Sequence, residues 1–138
     1  MKRLRRAKDK EDIFQSLGGD STALFRSMKD VFMVAACLGF ARDTREPLQS
    51  IGAEFGPNVF AGEDEALLDA LALAEAGEVA ILHPDQEDAR AQLVEEYANA
   101  GVALLKGIMD QGVGDPVDTL ITFLASEADG LTTRVALR

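Results

Sequence analysis

Apolar side chains recur every three to four residues over most of the chain, which is the spacing of an amphipathic α-helix. In the longest such stretch, Leu93, Tyr97 and Leu104 lie on one stripe. Capping residues or glycines border most of these stretches. The pattern predicts five helices, at residues 9–17, 27–38, 63–76, 86–110 and 116–129.

The second predicted helix differs from the others because Val31 to Leu38 is apolar on every face. A helix of that kind is normally buried on all sides, so we expect this segment to be the most buried one. A buried β-strand is the alternative, since a short apolar run does not fix its own period. Ser27 and Asp30 have the spacing of an N-terminal capping pair and Gly39 follows the run as a cap, which favours a helix.

Three stretches have no clear period. Residues 41–62 are rich in proline and glycine, and they predict a long connection with one short turn near residues 48–51. Val79–Leu82 fits either a continued helix or a short strand, and the tail at residues 131–138 is too short to specify its structure. With no internal repeat and no linker, the pattern predicts a mostly α protein with a single compact helical domain.

Charge is unevenly distributed between this domain and the start of the chain. The net charge is −10, but the first ten residues contain six bases and one acid, so residues 11–138 carry −15. We therefore divide the chain into a basic N-terminal arm, residues 1–10, and an acidic helical domain, residues 11–138. The candidate nucleic-acid-binding residues are the six bases of the arm: Lys2, Arg3, Arg5, Arg6, Lys8 and Lys10.

The basic arm has three interpretations. It contacts nucleic-acid phosphates, it lies on an acidic face of its own domain or of a second copy, or it is a solvated terminus. The acidic domain would repel DNA everywhere else, so any DNA contact through the arm should be weak and indifferent to sequence. The same repulsion argues against a large surface that reads DNA sequence.

Composition and motifs indicate no particular reaction or ligand. No run approaches the roughly 18 apolar residues of a membrane span, and no apolar signal segment follows the basic start, which predicts a cytoplasmic protein. Cys37 lies in the apolar helix, and His83 has no second histidine or serine at a catalytic spacing. The acidic pairs suit helix capping better than Mg²⁺ binding. We therefore expect no catalytic residue, no bound metal and no cofactor.

Three stretches carry a family resemblance: Arg3 to Phe14, Val31 to Leu48 and Glu95 to Leu105. In their order and spacing the chain resembles DNA phosphorothioation-associated protein 4, a family of small proteins encoded beside bacterial DNA phosphorothioation (dnd) genes. The resemblance implies an accessory protein of a phage-defence or restriction module that acts on sulfur-modified DNA. It implies no reaction and no catalytic residues.

The residues of the matching stretches have modest structural explanations. Arg42 and Arg45 flank a turn before Pro47, while Asn99 and Gly101 should let another helix approach closely. The candidate family-motif residues are Arg42, Arg45, Pro47, Tyr97, Asn99 and Gly101.

Two functions therefore compete. The first is a non-catalytic accessory protein of a dnd module that binds a protein partner of a DNA-modification or defence complex, with weak DNA contact through the arm. The second is an acidic DNA mimic or antidote that inhibits a nucleic-acid enzyme, which the charge of −15 on residues 11–138 suggests. We expect no membrane partner, and the sequence leaves open whether the protein is a monomer or a small oligomer.

Overall fold

The structure, a computed structural model, describes residues 3–20 and 22–136, with side chains up to residue 130. It confirms the prediction of a mostly α domain with about five helices. The elements are β1 (Arg5–Ala7), α1 (Glu11–Gly18), α2 (Met28–Ala41), β2 (Ile51–Glu54), α3 (Glu63–Ala76), α4 (Glu87–Gln111) and α5 (Pro116–Ala136). Short 3-10 turns lie at Lys8–Lys10, Val79–Leu82 and Pro84–Gln86.

Helices α2 and α4 pack against each other along the centre of the domain. Two glycines bring their backbones together: a Cβ on Gly39 would lie 2.9 Å from the carbonyl carbon of Tyr97, and one on Gly101 only 2.6 Å from that of Ala35. The prediction for Gly101 is therefore confirmed. The prediction that Gly39 caps α2 is wrong, because the helix continues to Ala41 and needs Gly39 for this contact.

An aromatic cluster fills the core beside this helix pair. The Phe32 ring of α2 lies 5.3 Å from both Phe55 and Phe60 and 6.4 Å from Phe14, measured between ring centroids. Phe55 and Phe60 belong to the connection after α2, so burial of these rings holds that connection on the core.

The two strands were not predicted. β1 and β2 pair antiparallel, with Arg5 opposite Glu54 and Ala7 opposite Ile51. Every β2 side chain is exposed, so β2 has no alternation of apolar and polar residues that could reveal it. Leu4 and Ala7 are buried, so residues 3–10 belong to the folded domain instead of forming the separate arm that their charge suggested.

Most predicted helix boundaries are accurate. The Asp30 amide donates to Ser27 Oγ at 3.2 Å, which confirms the predicted cap, and α3 has the predicted bounds. The open question at Val79–Leu82 is answered by a 3-10 turn. The prediction that the last helix stops before Gly130 is wrong, because α5 continues through Gly130 to Ala136. A helix tolerates an internal glycine at a cost of about 1 kcal/mol relative to alanine.

The prediction that Val31 to Leu38 is the most buried segment is wrong. Met33, Val34 and Cys37 are only half-buried, whereas the six residues from Tyr97 to Val102 in α4 are all buried.

No helix in the described part of the chain has the length and apolarity needed to cross a membrane.

Candidate functional site

Most of the bases near the N-terminus form ion pairs with acids of the same chain. Arg6 and Lys10 are only 5% and 8% exposed. Arg6 donates two hydrogen bonds to Glu11, at 2.8 and 3.0 Å, and these lower the pKa of the Glu11 carboxyl. Lys10 Nζ lies 3.2 Å from Asp9 and 3.3 Å from Glu46.

Arg5 makes the most extensive of these contacts. Its Nε and Nη2 each donate to one oxygen of Glu95 at 3.0 Å, and its backbone amide donates to Glu95 Oε2 at 2.6 Å. Glu95 is 2% exposed, so this pair ties β1 to the middle of α4. The hydrogen bonds also raise the pKa of Arg5 above its ordinary value.

The remaining candidate bases are more accessible. Arg3 is exposed and lies 3.1 Å from Glu54, Lys8 is exposed, and Lys2 lies outside the described residues. DNA contact by the N-terminal bases stays a prediction. In the described segment, only Arg3 and Lys8 present mainly solvent-exposed side chains for it.

The structure brings four of the six family-motif residues, Arg45, Pro47, Tyr97 and Asn99, together where the connection after α2 meets α4. Arg45 lies 3.6 Å from Glu75 and 3.9 Å from Glu96, with its guanidinium 5.9 Å from the centroid of the Tyr97 ring. The Tyr97 hydroxyl donates to Glu75, and burial together with this hydrogen bond raises the pKa of the phenol well above its usual value.

Asn99 acts differently from the prediction. It was expected to let a helix approach, but its Nδ2 donates to the backbone carbonyls of Glu46 and Pro47, at 3.1 and 3.3 Å. It therefore fastens the connection to α4, and the helix approach depends on Gly101 instead. At the end of α2, Arg42 Nε donates to Glu127 Oε1 at 2.8 Å and so joins this region to α5.

The titratable groups outside these ion pairs form no recognisable catalytic arrangement in the described residues. Burial raises the pKa of the Cys37 thiol, which makes it a weaker nucleophile at neutral pH. His83 is exposed, with Nδ1 2.8 Å from Asp85 Oδ1. Within residues 3–20 and 22–136, no three His, Cys, Asp or Glu side chains lie close enough together to hold a metal ion.

An apolar groove lies between α2, α3 and α5, with a cavity volume of about 380 Å³. Its only charged lining residue is Glu127, which is paired with Arg42. The apolar walls come from Met33, Val34 and Cys37 of α2, Leu67 of α3, and Phe123 and Leu124 of α5.

Beside this groove, α5 presents an exposed apolar row. Val117, Ile121 and Leu124 are 48%, 59% and 44% exposed, and their spacing places them on one side of the helix. Scattered surface apolar residues are normal, but a row continuous with an apolar groove is typical of a binding surface. We name the groove and this row together the α5 surface.

Sequence reasoning missed the α5 surface because it treated Val31 to Leu38 as core on every face. Four residues of that run line the groove: Met33, Val34, Cys37 and Leu38. No signal in the sequence marked this face, because a helix that is apolar all round is normally buried on every side.

Comparison with known proteins places the chain in a family. No curated protein and no solved structure shows significant similarity to it. The model of one protein family, however, matches residues 3–136, which is nearly the whole chain. The chain therefore belongs to the DNA sulphur modification system-associated protein 4 family, as the sequence resemblance indicated.

Proposed function

We propose that this chain is a non-catalytic accessory protein of a DNA sulphur modification system and that it acts by binding another protein of that system. Family membership supports the association with the system. The observation that carries the mode of action is the α5 surface, where an exposed apolar row adjoins an apolar groove. Contiguous exposed apolar surface of this kind is favoured at protein–protein interfaces.

The engagement of the N-terminal bases supports protein binding over DNA binding. Arg6 and Lys10 are buried and Arg5 is paired with Glu95, so contact with phosphates would require these ion pairs to break. Arg3 and Lys8 leave a weak, salt-dependent DNA contact as a secondary activity.

The alternative is an acidic DNA mimic that inhibits a nucleic-acid enzyme. The charge of −15 on residues 11–138 favours it. Many of the acids, however, occupy the first turns of helices or pair with bases of this chain, which accounts for them structurally.

The test is a mixing experiment with purified proteins. The full-length chain is combined, one at a time, with the other proteins encoded in the same DNA sulphur modification system, and complexes are detected by size-exclusion chromatography. A stable complex with one of them is expected. In parallel, retardation of phosphorothioated and unmodified DNA duplexes is measured at two salt concentrations.

Absence of any complex, combined with salt-resistant binding to DNA, would contradict the proposal. Inhibition of a nucleic-acid enzyme by the chain alone would favour the mimic. A catalytic turnover by the chain, with nucleic acid or nucleotide as substrate, would overturn the non-catalytic assignment.

A further inference from the structure

The groove of the α5 surface lacks the features of a small-molecule site. Such sites combine apolar walls with a few converging polar groups that orient the ligand. Here the walls are apolar, and the one charged lining residue, Glu127, already accepts hydrogen bonds from Arg42. Leu67 and Leu124 are also substantially exposed on two of the helices that border it. These features fit the apolar face of a helix, which needs pockets for its anchor side chains and no polar recognition.

The net charge of the segments around the groove indicates the charge of the partner that would bind there. The segments that form it, residues 28–42 with α3 and α5, contain nine acids and three bases. Three of the acids, Asp30, Asp69 and Glu75, pair with bases outside these segments, namely Arg26, Arg90 and Arg45. The remaining acids still outnumber the bases by six to three, and their potential favours a partner with positive charge.

Two other occupants fit less well. The N-terminal segment of this chain cannot reach the groove while β1 is paired with β2 and Arg5 with Glu95. A second copy that used the same surface would bring like charge against like charge, because a two-fold interface places the same patch on both sides.

We infer that the groove receives an amphipathic helix whose apolar face is bordered by lysine and arginine. This rests on the proposed function and specifies the chemistry of the partner. Anchor side chains at i, i+3 or i+4, and i+7 enter the groove between Leu67 and Leu124, and the flanking bases lie over the acids of α3 and α5. Cys37, the only cysteine of the chain, lies in the groove wall and is covered when the helix binds.

This position of Cys37 provides a test specific to the groove. The probe is a synthetic helical peptide of about five turns, with leucine at i, i+3, i+4 and i+7 spacing and lysine elsewhere. The matched peptide has glutamate in place of every lysine. Affinity is measured by fluorescence anisotropy with the full-length protein, and coverage of the groove by the rate at which a maleimide alkylates Cys37.

The lysine peptide should bind and protect Cys37. At about ten times its Kd, mass action predicts a roughly tenfold slower alkylation, whereas the glutamate peptide should leave the rate unchanged. The double variant Leu67→Ser/Leu124→Ser should lose the binding. The control variant Val79→Ser/Val113→Ser removes two exposed apolar residues that do not line the groove and should bind like the wild type.

Three results would overturn the inference: no binding of the lysine peptide, binding without protection of Cys37, or equal protection by both peptides. Urea unfolding of each variant verifies that it is folded. The proposed function is judged separately by the mixing experiment. If a system protein binds the Leu67→Ser/Leu124→Ser variant as tightly as the wild type, the proposed function stands and the groove assignment falls.

Discussion

The α2–α4 interface and the α5 surface use apolar residues in opposite ways. Along the interface, Gly39 and Gly101 bring two backbones into contact, and Tyr97 to Val102 are all buried. On the α5 surface, Ile121 is more than half exposed and the apolar groove is open. The first region therefore determines the fold, whereas the second has apolar area left for a partner.

The six family-motif residues lie mostly in the first region. Arg45, Asn99 and Gly101 fix the connection after α2 to α4 or allow the two helices to meet. Arg42 links the two regions through Glu127 of α5. These six residues thus have structural roles, whereas the matching stretch Val31 to Leu48 also supplies the α2 wall of the groove.

The largest effect is expected from Gly101→Ala. The added Cβ would overlap the backbone carbonyl of Ala35, and neither helix backbone can move aside without opening the interface. We expect the free energy of unfolding to fall by about 3 kcal/mol, measured by urea denaturation. Gly107→Ala in the same helix is the control, because nothing lies within 4 Å of its added Cβ, and it should stabilise the protein by up to about 1 kcal/mol. Equal effects of the two substitutions would mean that α2 and α4 are not in close contact.

A smaller loss is expected from Glu95→Gln, which keeps the shape of a buried side chain but removes the charge paired with Arg5. Hydrogen bonds to charged groups contribute about 1.5–3 kcal/mol each, so we expect a loss of about 2 kcal/mol. Glu54→Gln disrupts the exposed pair with Arg3 and should cost less than about 0.5 kcal/mol. Similar losses for both variants would show that β1 is not fastened to α4 through Glu95.

The Arg6–Glu11 pair should make stability depend on pH. Arg6 lowers the pKa of Glu11 in the folded protein from the ordinary 4.5, so the pair stabilises the fold above about pH 4.5 and loses this effect as the pH falls through the folded-state pKa. Glu11→Gln should therefore cost up to about 1 kcal/mol at pH 7 and progressively less below pH 4.5. Asp12→Asn, an exposed neighbour on the same helix turn, is the control. A loss that is constant from pH 7 to pH 3 would refute the role of the charge.

The smallest effect on stability is expected on the α5 surface. Ile121→Ser removes an exposed side chain and should change the free energy of unfolding by less than about 0.5 kcal/mol. In the mixing experiment, the same variant should bind its partner protein more weakly than the wild type. A large loss of stability would place Ile121 in the core and remove the basis for the comparison.

The sequence was sufficient for the helices but not for the strands. Helix α3 was predicted with its actual bounds, because its acidic first turn and Gly77 mark both ends. β1 and β2 were missed since their pairing joins residues 44 to 49 positions apart in sequence, and neither strand is long enough to show a period of two.

The candidate site was predicted only in part. Gly101 could be assigned to a close helix contact because the type of residue is informative, whereas the partner of Arg5 could not, since Glu95 looks like any other acid on a helix. The groove could not be predicted from the sequence, for a physical reason. Whether Met33 and Cys37 face the core or solvent depends on how α3 and α5 pack, and hydrophobicity alone does not contain that information.

Hydrogen–deuterium exchange of the full-length chain, alone and in complex with any system protein that binds it in the mixing experiment, tests the central claim most directly. The claim is that the α2–α4 interface maintains the fold and the α5 surface binds the partner. We predict that binding slows exchange in α5 and leaves exchange of the buried residues Tyr97 to Val102 unchanged. Slower exchange confined to β1 and β2, with α5 unaffected, would contradict it.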